Sequence, residues 1–208
     1  MQNRFFAMMA RMKLIRRWGL MFSTRDENLS EHSLDTAFFM HALLALHNRR
    51  FLAPGEEPLD LGTGVLLAIY HDAAEILTGD LPTPIKYYNP DIRDAYREVE
   101  QFSAHKLLHM LPEALRPSFD PLLREGYDPG LRTLVKAADK LSAHLKCLEE
   151  LKAGNREFQS AAQQTRAALD AFHLGYRAAL RILGNCFGLD ASISMLPQVL
   201  LTEHDLGV

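Results

Sequence analysis

Cysteine is scarce in this chain of 208 residues: only Cys147 and Cys186 occur, far apart and outside any spacing typical of a metal or redox motif. We therefore expect two free thiols in a reducing compartment. Charge of one sign is not in excess either, since the formal net charge is -3 and the isoelectric point is about 6.3. That balance excludes the strongly basic surface by which many proteins bind nucleic acid.

Long hydrophobic runs are absent as well. The longest runs, such as Val65 to Tyr70, are far shorter than the ~20 apolar residues that a membrane-spanning helix needs. The apolar N-terminal stretch is interrupted by Arg4, Arg11 and Lys13, and no small-residue cleavage site follows it. We expect a cytoplasmic protein that binds neither a membrane nor nucleic acid.

Signals for β-strands are almost absent, because no segment alternates polar and apolar residues between turn pairs and no Asn-Gly or Asp-Gly pair occurs. Helical periodicity runs along most of the chain instead. The predicted fold class is all-α, a single domain over residues 1–208 built as a bundle of six or seven helices. The predicted helices cover about 4–16, 28–47, 63–77, 89–110, 112–124, 131–152 and 157–183.

Local signals place several boundaries. Asn28, with Glu31 three residues later, fits a capping box at the start of the second helix. The third helix is apolar nearly all round and is expected to be buried centrally, with Gly79 ending the helical segment. The prolines of the following Asp80–Pro84 stretch predict a stiff loop without helix. The apolar face of the second helix is assigned to Leu34, Phe38, Ala42 and Ala45.

One turn of the predicted third helix carries three potentially reactive side chains. His71 and Asp72 are adjacent, and Glu75 follows four and three residues after them, on the same helix face. An ionised carboxylate in such an apolar helix is costly unless it is paired or bound to a metal. A polar helix end that simply faces water is the alternative.

Two further residues are candidates, although each alone has an ordinary explanation. His32 lies in the first turn of the second helix, where a histidine is usually structural or solvated. Asp139 lies in the middle of the long 131–152 helix, with Val135 and Ala143 one turn away on either side. A salt bridge of Asp139 to Lys136 or Lys140 would explain it equally well.

The ordered set His32, His71-Asp72, Asp139 resembles the H…HD…D pattern of the HD-domain metal-dependent phosphohydrolases. Two imidazoles and two carboxylates suit one divalent ion such as Mn²⁺, Co²⁺, Ni²⁺, Zn²⁺ or Fe²⁺ rather than a thiolate site. Four protein ligands around an octahedral ion would leave positions for water and a substrate oxygen. His105 and His109 are also spaced for metal binding, but no carboxylate supports them, and we expect a solvated surface.

The resemblance is closer to the bacterial 5′-deoxynucleotidases of the YfbR type. It covers about residues 6–158, and the C-terminal helix and tail (157–208) carry little of it. The segments that carry it are Leu14-Ile-Arg-Arg-Trp18, Glu27-Asn-Leu-Ser-Glu-His-Ser33, Tyr70-His-Asp-Ala-Ala-Glu-Ile-Leu-Thr-Gly-Asp-Leu-Pro-Thr-Pro-Ile-Lys-Tyr87 and Leu145-Lys-Cys-Leu-Glu-Glu-Leu151.

The resemblance implies a role for each matching position. The metal ligands fall on His32, His71, Asp72 and Asp139, three of which (His32, Asp72 and Asp139) would also contact substrate. Glu75, Asp72 and Arg17 would be catalytic. Glu75 would be the carboxylate that transfers a proton, and Arg17 would orient the phosphate. Trp18 would contact the sugar, and the substrate loop corresponds to Asp80, Leu81, Pro82 and Thr83. The family's proline after the tryptophan is Gly19 here.

The function that the resemblance implies is hydrolysis of deoxyribonucleoside 5′-monophosphates to deoxynucleoside and phosphate. It also implies broad base tolerance, a cytoplasmic homodimer and one divalent ion per chain, with Co²⁺ or Mn²⁺ among the candidates. Two alternatives remain open: an HD hydrolase of another phosphate ester, such as a cyclic nucleotide, a nucleoside triphosphate or a ribonucleotide, and a nucleotide-binding module without catalysis. For Trp18, a core anchor is the alternative to a sugar contact.

Overall fold

The computed structural model describes residues 4–86, 88–124 and 128–172. Within these ranges it is helical and contains no strand, which confirms the predicted all-α fold class. Six helices have eight or more residues and three are shorter. They are α1 (Phe5–Met9), α2 (Leu29–Arg50), α3 (Leu61–Tyr70), α4 (Glu75–Thr78), α5 (Thr83–Lys86), α6 (Pro90–Leu108), α7 (Arg116–Leu123), α8 (Pro129–Lys152) and α9 (Gln159–Asp170).

The main core lies between α2, α3 and α8. Leu44 of α2, Leu67 of α3 and Leu134 of α8 are almost completely buried and belong to one apolar cluster. Burying a leucine side chain in this way contributes roughly 1.5–3 kcal/mol. Because the three helices are packed together by this cluster, polar residues at their ends are held in fixed relative positions.

The N-terminus of α2 forms as the sequence predicts. The Asn28 side chain accepts from the backbone N–H groups of Ser30 and Glu31, and the Glu31 carboxylate accepts from the backbone N–H of Asn28. The assignment of its apolar face was wrong for Leu34 and Phe38, which are 52% and 62% exposed, whereas Ala42 packs against the main core. The buried face of α2 instead carries polar side chains at its start, His32, Ser33 and Thr36, before the apolar residues Phe39, Met40, Leu43 and Leu44.

The predicted third helix (63–77) is two helices. α3 ends at Tyr70, and the chain tightens through Ala73 N–H to Tyr70 O and Glu75 N–H to Asp72 O bonds before α4 begins. Gly79 ends α4 with a φ of 75°, a conformation that favours glycine. The expected central burial holds for Leu67 and Ala68, which lie in the main core, but not for Leu66, which is exposed.

Two other local predictions need correction. The first predicted helix (4–16) is broken into α1 and a 3-10 turn over Met12–Leu14, which places Phe5 and Met12 in different apolar clusters. The prolines near residue 83 do not exclude helix, since α5 contains Pro84 in its first turn, where the missing N–H has no helical partner to lose.

The other helices lie close to their predicted positions. Asn89 caps α6 with Pro90 at its first position, and Asp128 caps α8. The last predicted helix (157–183) begins as a 3-10 turn over Arg156–Phe158 and continues as α9. Its part beyond Phe172, the tail to residue 208 and Cys186 lie outside the described residues. Cys147 is a buried free cysteine.

The residues between the first turns and α2 form a closed loop. Arg16 pairs with Asn28 in an isolated antiparallel bridge, and the N–H of Leu29 bonds the carbonyl of Ile15 at 2.9 Å. Glu150 of α8 fixes the middle of the loop, accepting from Thr24 and Arg25 while paired with Lys146. None of the described helices combines the length and apolarity needed to cross a bilayer.

Candidate active site

Four predicted ligands converge where α2, the turn after α3 and the middle of α8 meet. Ligand atoms of His32, His71 and Asp139 all lie within 4.8 Å of one another. His32 Nε2 is 3.2 Å from Asp139 Oδ1, and His71 Nε2 is 3.0 Å from Asp72 Oδ2. Asp72 Oδ2 is also 3.7 Å from His32 Nε2. The structure thus brings together residues that lie more than a hundred positions apart.

Contacts at Nδ1, on the side of each ring away from the carboxylates, orient both imidazoles. His32 Nδ1 lies 3.1 Å from the hydroxyl of Ser142, and His71 Nδ1 lies 2.8 Å from the carbonyl of Ala68. A ring that donates from Nδ1 keeps the lone pair of Nε2 free. Both Nε2 atoms are buried, face the carboxylates and make no hydrogen bond.

This donor set fits a divalent transition-metal ion. Two nitrogen and two carboxylate donors are a borderline-to-hard set, and buried ring nitrogens without a hydrogen-bond partner are what ligation would satisfy. Burial, together with the charge of Arg17, lowers the pKa of His32 and keeps it neutral. Burial alone would raise the pKa of Asp72, but the adjacent His71 imidazole holds it well below its usual range.

Glu75 is the first residue of α4 and lies one short turn beyond Asp72. Its side chain is buried, and its Oε2 has no hydrogen-bond partner. Burial first, and then the negative charges of Asp72 and Asp80, raise the pKa of Glu75 to about 10. A carboxyl group in such surroundings holds a proton readily and can pass it to a nearby oxygen.

Arg17 extends from the closed loop toward the ligands. Its Nη1 is 3.4 Å from Asp72 Oδ2, and its Nε is 3.2 Å from Glu27 Oε2. Burial opposes its charge, but the surrounding carboxylates of Asp72 and Glu27 raise the pKa of Arg17 above its usual value. The guanidinium is therefore a permanent cation beside the candidate ligands, where a bound phosphate would need one.

Trp18 adopts an unusual backbone conformation next to Arg17. Its φ is 60°, in the left-handed region, which costs of order 1–3 kcal/mol for a residue with a side chain. The indole Nε1–H donates to Glu27 Oε2 at 2.7 Å, and the ring packs on Phe158 with centroids 5.2 Å apart. The core-anchor interpretation of Trp18 therefore holds for part of its ring.

Within the predicted substrate loop, the first residue, Asp80, contacts a residue of the site. The carboxylate of Asp80 accepts from the backbone N–H of Trp18, and burial raises the pKa of Asp80. Leu81 and Pro82 are half-buried and Thr83 is exposed. None of these four residues lines the cavity beside the site, and neither do Arg17 and Trp18, whereas Lys86 of α5 does.

A large cavity opens onto the ligands. Its volume is about 1070 Å³, at the upper end of the range usual for small-molecule sites. His71, Asp72, Glu75 and Asp139 lie on its wall. Charged side chains of both signs complete the wall: the cations Lys86, Arg93, Arg97, Arg124, Arg132 and Lys136 and the acids Asp94, Glu98 and Glu100. His105 also faces the cavity; its ring stacks on that of His109 with centroids 4.0 Å apart, and it is exposed as expected.

Sequence reasoning gave no role to two residues that the structure places behind the site. Glu27 is a buried carboxylate that contacts both Arg17 and Trp18. Ser142 contacts the ring of His32. Glu27 lies in a segment that carries the resemblance, and Ser142 follows Asp139 by three residues on the same helix face, which was the available signal.

Solved structures share the fold. An HD-domain phosphohydrolase from Listeria innocua matches with a TM-score of 0.66 and 21% identity, covering 99% of this chain and 90% of that one. A cyanophage S-2L HD phosphohydrolase, solved with dA and one catalytic Zn²⁺ ion, matches with a TM-score of 0.59 and 20% identity, covering 90% and 95%. At these identities the likeness establishes the fold.

Sequence relatives are much more similar. A 5′-deoxynucleotidase from Vibrio atlanticus is 48% identical over 170 residues, covering 81% of this chain and 86% of its own length. The 5′-deoxynucleotidase YfbR of an Escherichia coli strain is 50% identical over 171 residues, covering 82% and 84%. The model of the family described as 5′-deoxynucleotidase YfbR-like matches residues 4–178. The chain therefore belongs to the YfbR-like 5′-deoxynucleotidase family.

Proposed function

We propose that this protein is a metal-dependent 5′-deoxynucleotidase, which hydrolyses deoxyribonucleoside 5′-monophosphates to deoxynucleoside and phosphate. The observation that carries the proposal is the convergence of His32, His71, Asp72 and Asp139 beside the buried cation of Arg17. Membership of the YfbR-like family supports the same activity. A phosphomonoesterase needs this combination, because its substrate is a dianion that must be bound and attacked at phosphorus.

The four convergent residues would hold one divalent ion per chain. When bound, such an ion polarises a phosphoryl oxygen and lowers the pKa of water, so that a strong nucleophile exists at neutral pH. Co²⁺, Mn²⁺ and Zn²⁺ all suit two imidazoles and two carboxylates. The Zn²⁺ ion in the cyanophage relative supports metal dependence in this fold.

The side chains divide the remaining work. Arg17 binds the phosphate through its guanidinium and fixes the direction from which water attacks phosphorus. The new bond joins the water oxygen to phosphorus, and the bond between phosphorus and the 5′-oxygen breaks. Glu75, with its unpaired Oε2, gives a proton to the leaving 5′-oxygen; the proton lost by the attacking water passes to solvent, and Glu75 takes a proton back from solvent before the next turnover.

The sugar is expected to lie between the phosphate position and Trp18. The structure of the loop supports this arrangement, because Asp80 and Trp18 are in contact and Arg17 is adjacent in sequence. Crowding at this position would disfavour a ribose 2′-hydroxyl, by at most about 10²-fold, since a pocket discriminates weakly against an added hydroxyl. Leu81, Pro82 and Thr83 would contribute when the substrate is bound.

The decisive experiment measures phosphate release from a panel of dAMP, dGMP, dCMP, dTMP, AMP, 3′-AMP and dATP. The protein is first stripped of metal with a chelator and then supplied with Co²⁺, Mn²⁺ or Zn²⁺ separately. We expect activity only after metal is restored, higher kcat/KM for dAMP than for AMP, and none for 3′-AMP. Equal values for dAMP and AMP would indicate a general nucleotidase, and activity only on dATP another HD hydrolase.

The homodimer and the cytoplasmic location that the family resemblance implies are part of this proposal, as is a single domain over residues 1–208. Sedimentation equilibrium of the whole chain tests the first. Cell fractionation tests the second. Limited proteolysis tests the third, which predicts one protected fragment that extends beyond Phe172.

A further inference from the structure

We propose that Glu27 is a positioning residue that holds Arg17 and Trp18 as one unit, so that binding of the phosphate and recognition of the sugar depend on the same carboxylate. The inference rests on the proposed function and deepens it. Nothing in the sequence pattern of metal ligands requires a carboxylate at this position, and Glu27 does not contact the ligands themselves.

A single oxygen of Glu27 makes both contacts. Its Oε2 accepts from Trp18 Nε1 at 2.7 Å and from Arg17 Nε at 3.2 Å. Its backbone carbonyl accepts from the N–H of Arg17 at 3.0 Å, which keeps the two chain segments side by side. Because the Nε–H of Arg17 donates to Glu27, the outer guanidinium nitrogens remain for the site, and Nη1 lies 3.4 Å from Asp72 Oδ2.

The surroundings make this carboxylate difficult to replace. Glu27 is only 5% exposed, so few water molecules could take over its role. A buried carboxylate is retained only where its partners compensate for lost hydration, and here those partners are Arg17 and Trp18. Trp18 also has its backbone in the left-handed region, a conformation that persists only where surrounding contacts hold it.

Glu27 therefore couples phosphate binding by Arg17 to sugar recognition by Trp18. If the guanidinium moves, the shared oxygen moves with it, and the indole that lies on Phe158 is displaced as well. A substrate with a misplaced sugar would therefore disturb the group that binds its phosphate. Glu27 would then act on both KM and the preference for deoxyribose, although it touches neither the metal ligands nor the reacting atoms.

Glu27→Leu and Glu27→Gln test the proposal by kinetics. Leucine removes the oxygen that accepts from both Arg17 and Trp18, and glutamine can keep an accepting oxygen there without the charge. For Glu27→Leu we expect kcat/KM for dAMP to fall about 10- to 100-fold, mainly through KM, and the dAMP-to-AMP ratio to shrink. Glu27→Gln should recover much of the ratio. The control is Asp26→Asn, which removes an exposed charge paired with Arg16 and should change neither value.

A second readout does not depend on activity. Trp18 is the only tryptophan of the chain, so the protein has one indole N–H resonance. We expect it to be shifted downfield and to exchange slowly with water in the wild type, to lose both properties in Glu27→Leu, and to keep them in Asp26→Asn. Thermal unfolding of each variant shows whether the folded fraction is unchanged at the assay temperature.

The outcomes separate the two proposals. A folded Glu27→Leu protein with wild-type KM and dAMP-to-AMP ratio overturns the positioning role, and so does an unchanged indole resonance. A uniform loss of kcat with KM and ratio preserved would indicate a purely structural residue and also overturn it. A wild type that hydrolyses no deoxynucleotide overturns the proposed function, while the indole resonance still decides whether Glu27 holds Trp18.

Discussion

The hydroxyl of Ser142 lies 3.1 Å from Nδ1 of His32, and both side chains are buried between α2 and α8. Ser142 is one turn of α8 beyond Asp139, so the same helix supplies one candidate ligand and the group that orients another. An imidazole that ligates through Nε2 gains basicity and a fixed orientation from such a partner.

Ser142→Ala should therefore weaken metal binding without removing a ligand. Loss of a supporting partner typically costs ~10–100-fold in metal affinity or activity. Competition with a chromogenic chelator measures the change in affinity. Ser103→Ala, at a buried serine of α6, a helix that supplies none of the four candidate ligands, is the matched control, and an equal effect there would argue against a specific role of Ser142.

His71→Ala should abolish metal binding and hydrolysis together. It removes one of four converging donors, so the loss of activity should exceed the ~100-fold expected for a supporting residue. Metal content after dialysis against limiting ion gives the stoichiometry, which we expect to fall from one per chain. His41→Ala, at an exposed histidine of α2, serves as control. Full activity of the metal-free wild type would contradict the metal-dependent mechanism.

Glu75→Gln should separate proton transfer from binding. Glutamine keeps the shape of the buried side chain but cannot give up a proton as a carboxyl group does, so kcat should fall by ~10²–10⁴-fold with the metal retained. Measuring metal content and KM beside kcat distinguishes the roles. If the variant loses the ion instead, Glu75 is a ligand and its assignment as proton donor is wrong.

His144 should make stability depend on pH. Burial, followed by the charge of Arg166, lowers the pKa of His144 to about 4 in the folded chain. Below pH ~6.5 the unfolded chain takes up the proton first, so the free energy of unfolding should fall between pH 6.5 and 4, by up to ~3 kcal/mol from this group. Urea unfolding of wild type and His144→Gln at several pH values measures it. The variant should show a shallower slope, and equal slopes would contradict the assignment.

The sequence alone determined the features that depend on local interactions. The capping box of Asn28 and Glu31 and the Asn89-Pro90 start of α6 form as predicted, because a cap involves only neighbouring backbone groups. The all-α class followed from periodicity for the same reason. The ordered histidine and aspartate pattern identified the residues that converge at the site. It did not predict which faces of their helices pack together.

Tertiary structure decided which face of a helix is inside. Leu34 and Phe38 fitted an apolar stripe, yet they are exposed, because α2 turns His32, Ser33 and Thr36 inward near the ligands. The break after Tyr70 was not predicted either: the chain passes from α3 to α4 through a tight turn that carries His71 and Asp72. Hydrophobic periodicity predicts neither the inward face of α2 nor the break after Tyr70, because it reports burial only where the buried face is apolar.

Glu27 shows the same limit most clearly. In sequence it is one acid in a charged stretch between Arg25 and Asn28; it begins a segment that carries the family resemblance, but the segment does not say which side chains Glu27 contacts. Only the closed loop, with Arg16 bridged to Asn28, brings its carboxylate to Arg17 and Trp18 and removes it from water. The sequence determined that the fold is helical and which side chains are candidates to bind a metal. The packing of the loop against α8 decided which carboxylate holds the arginine, because burial and hydrogen bonding across distant segments exist only once the chain has folded.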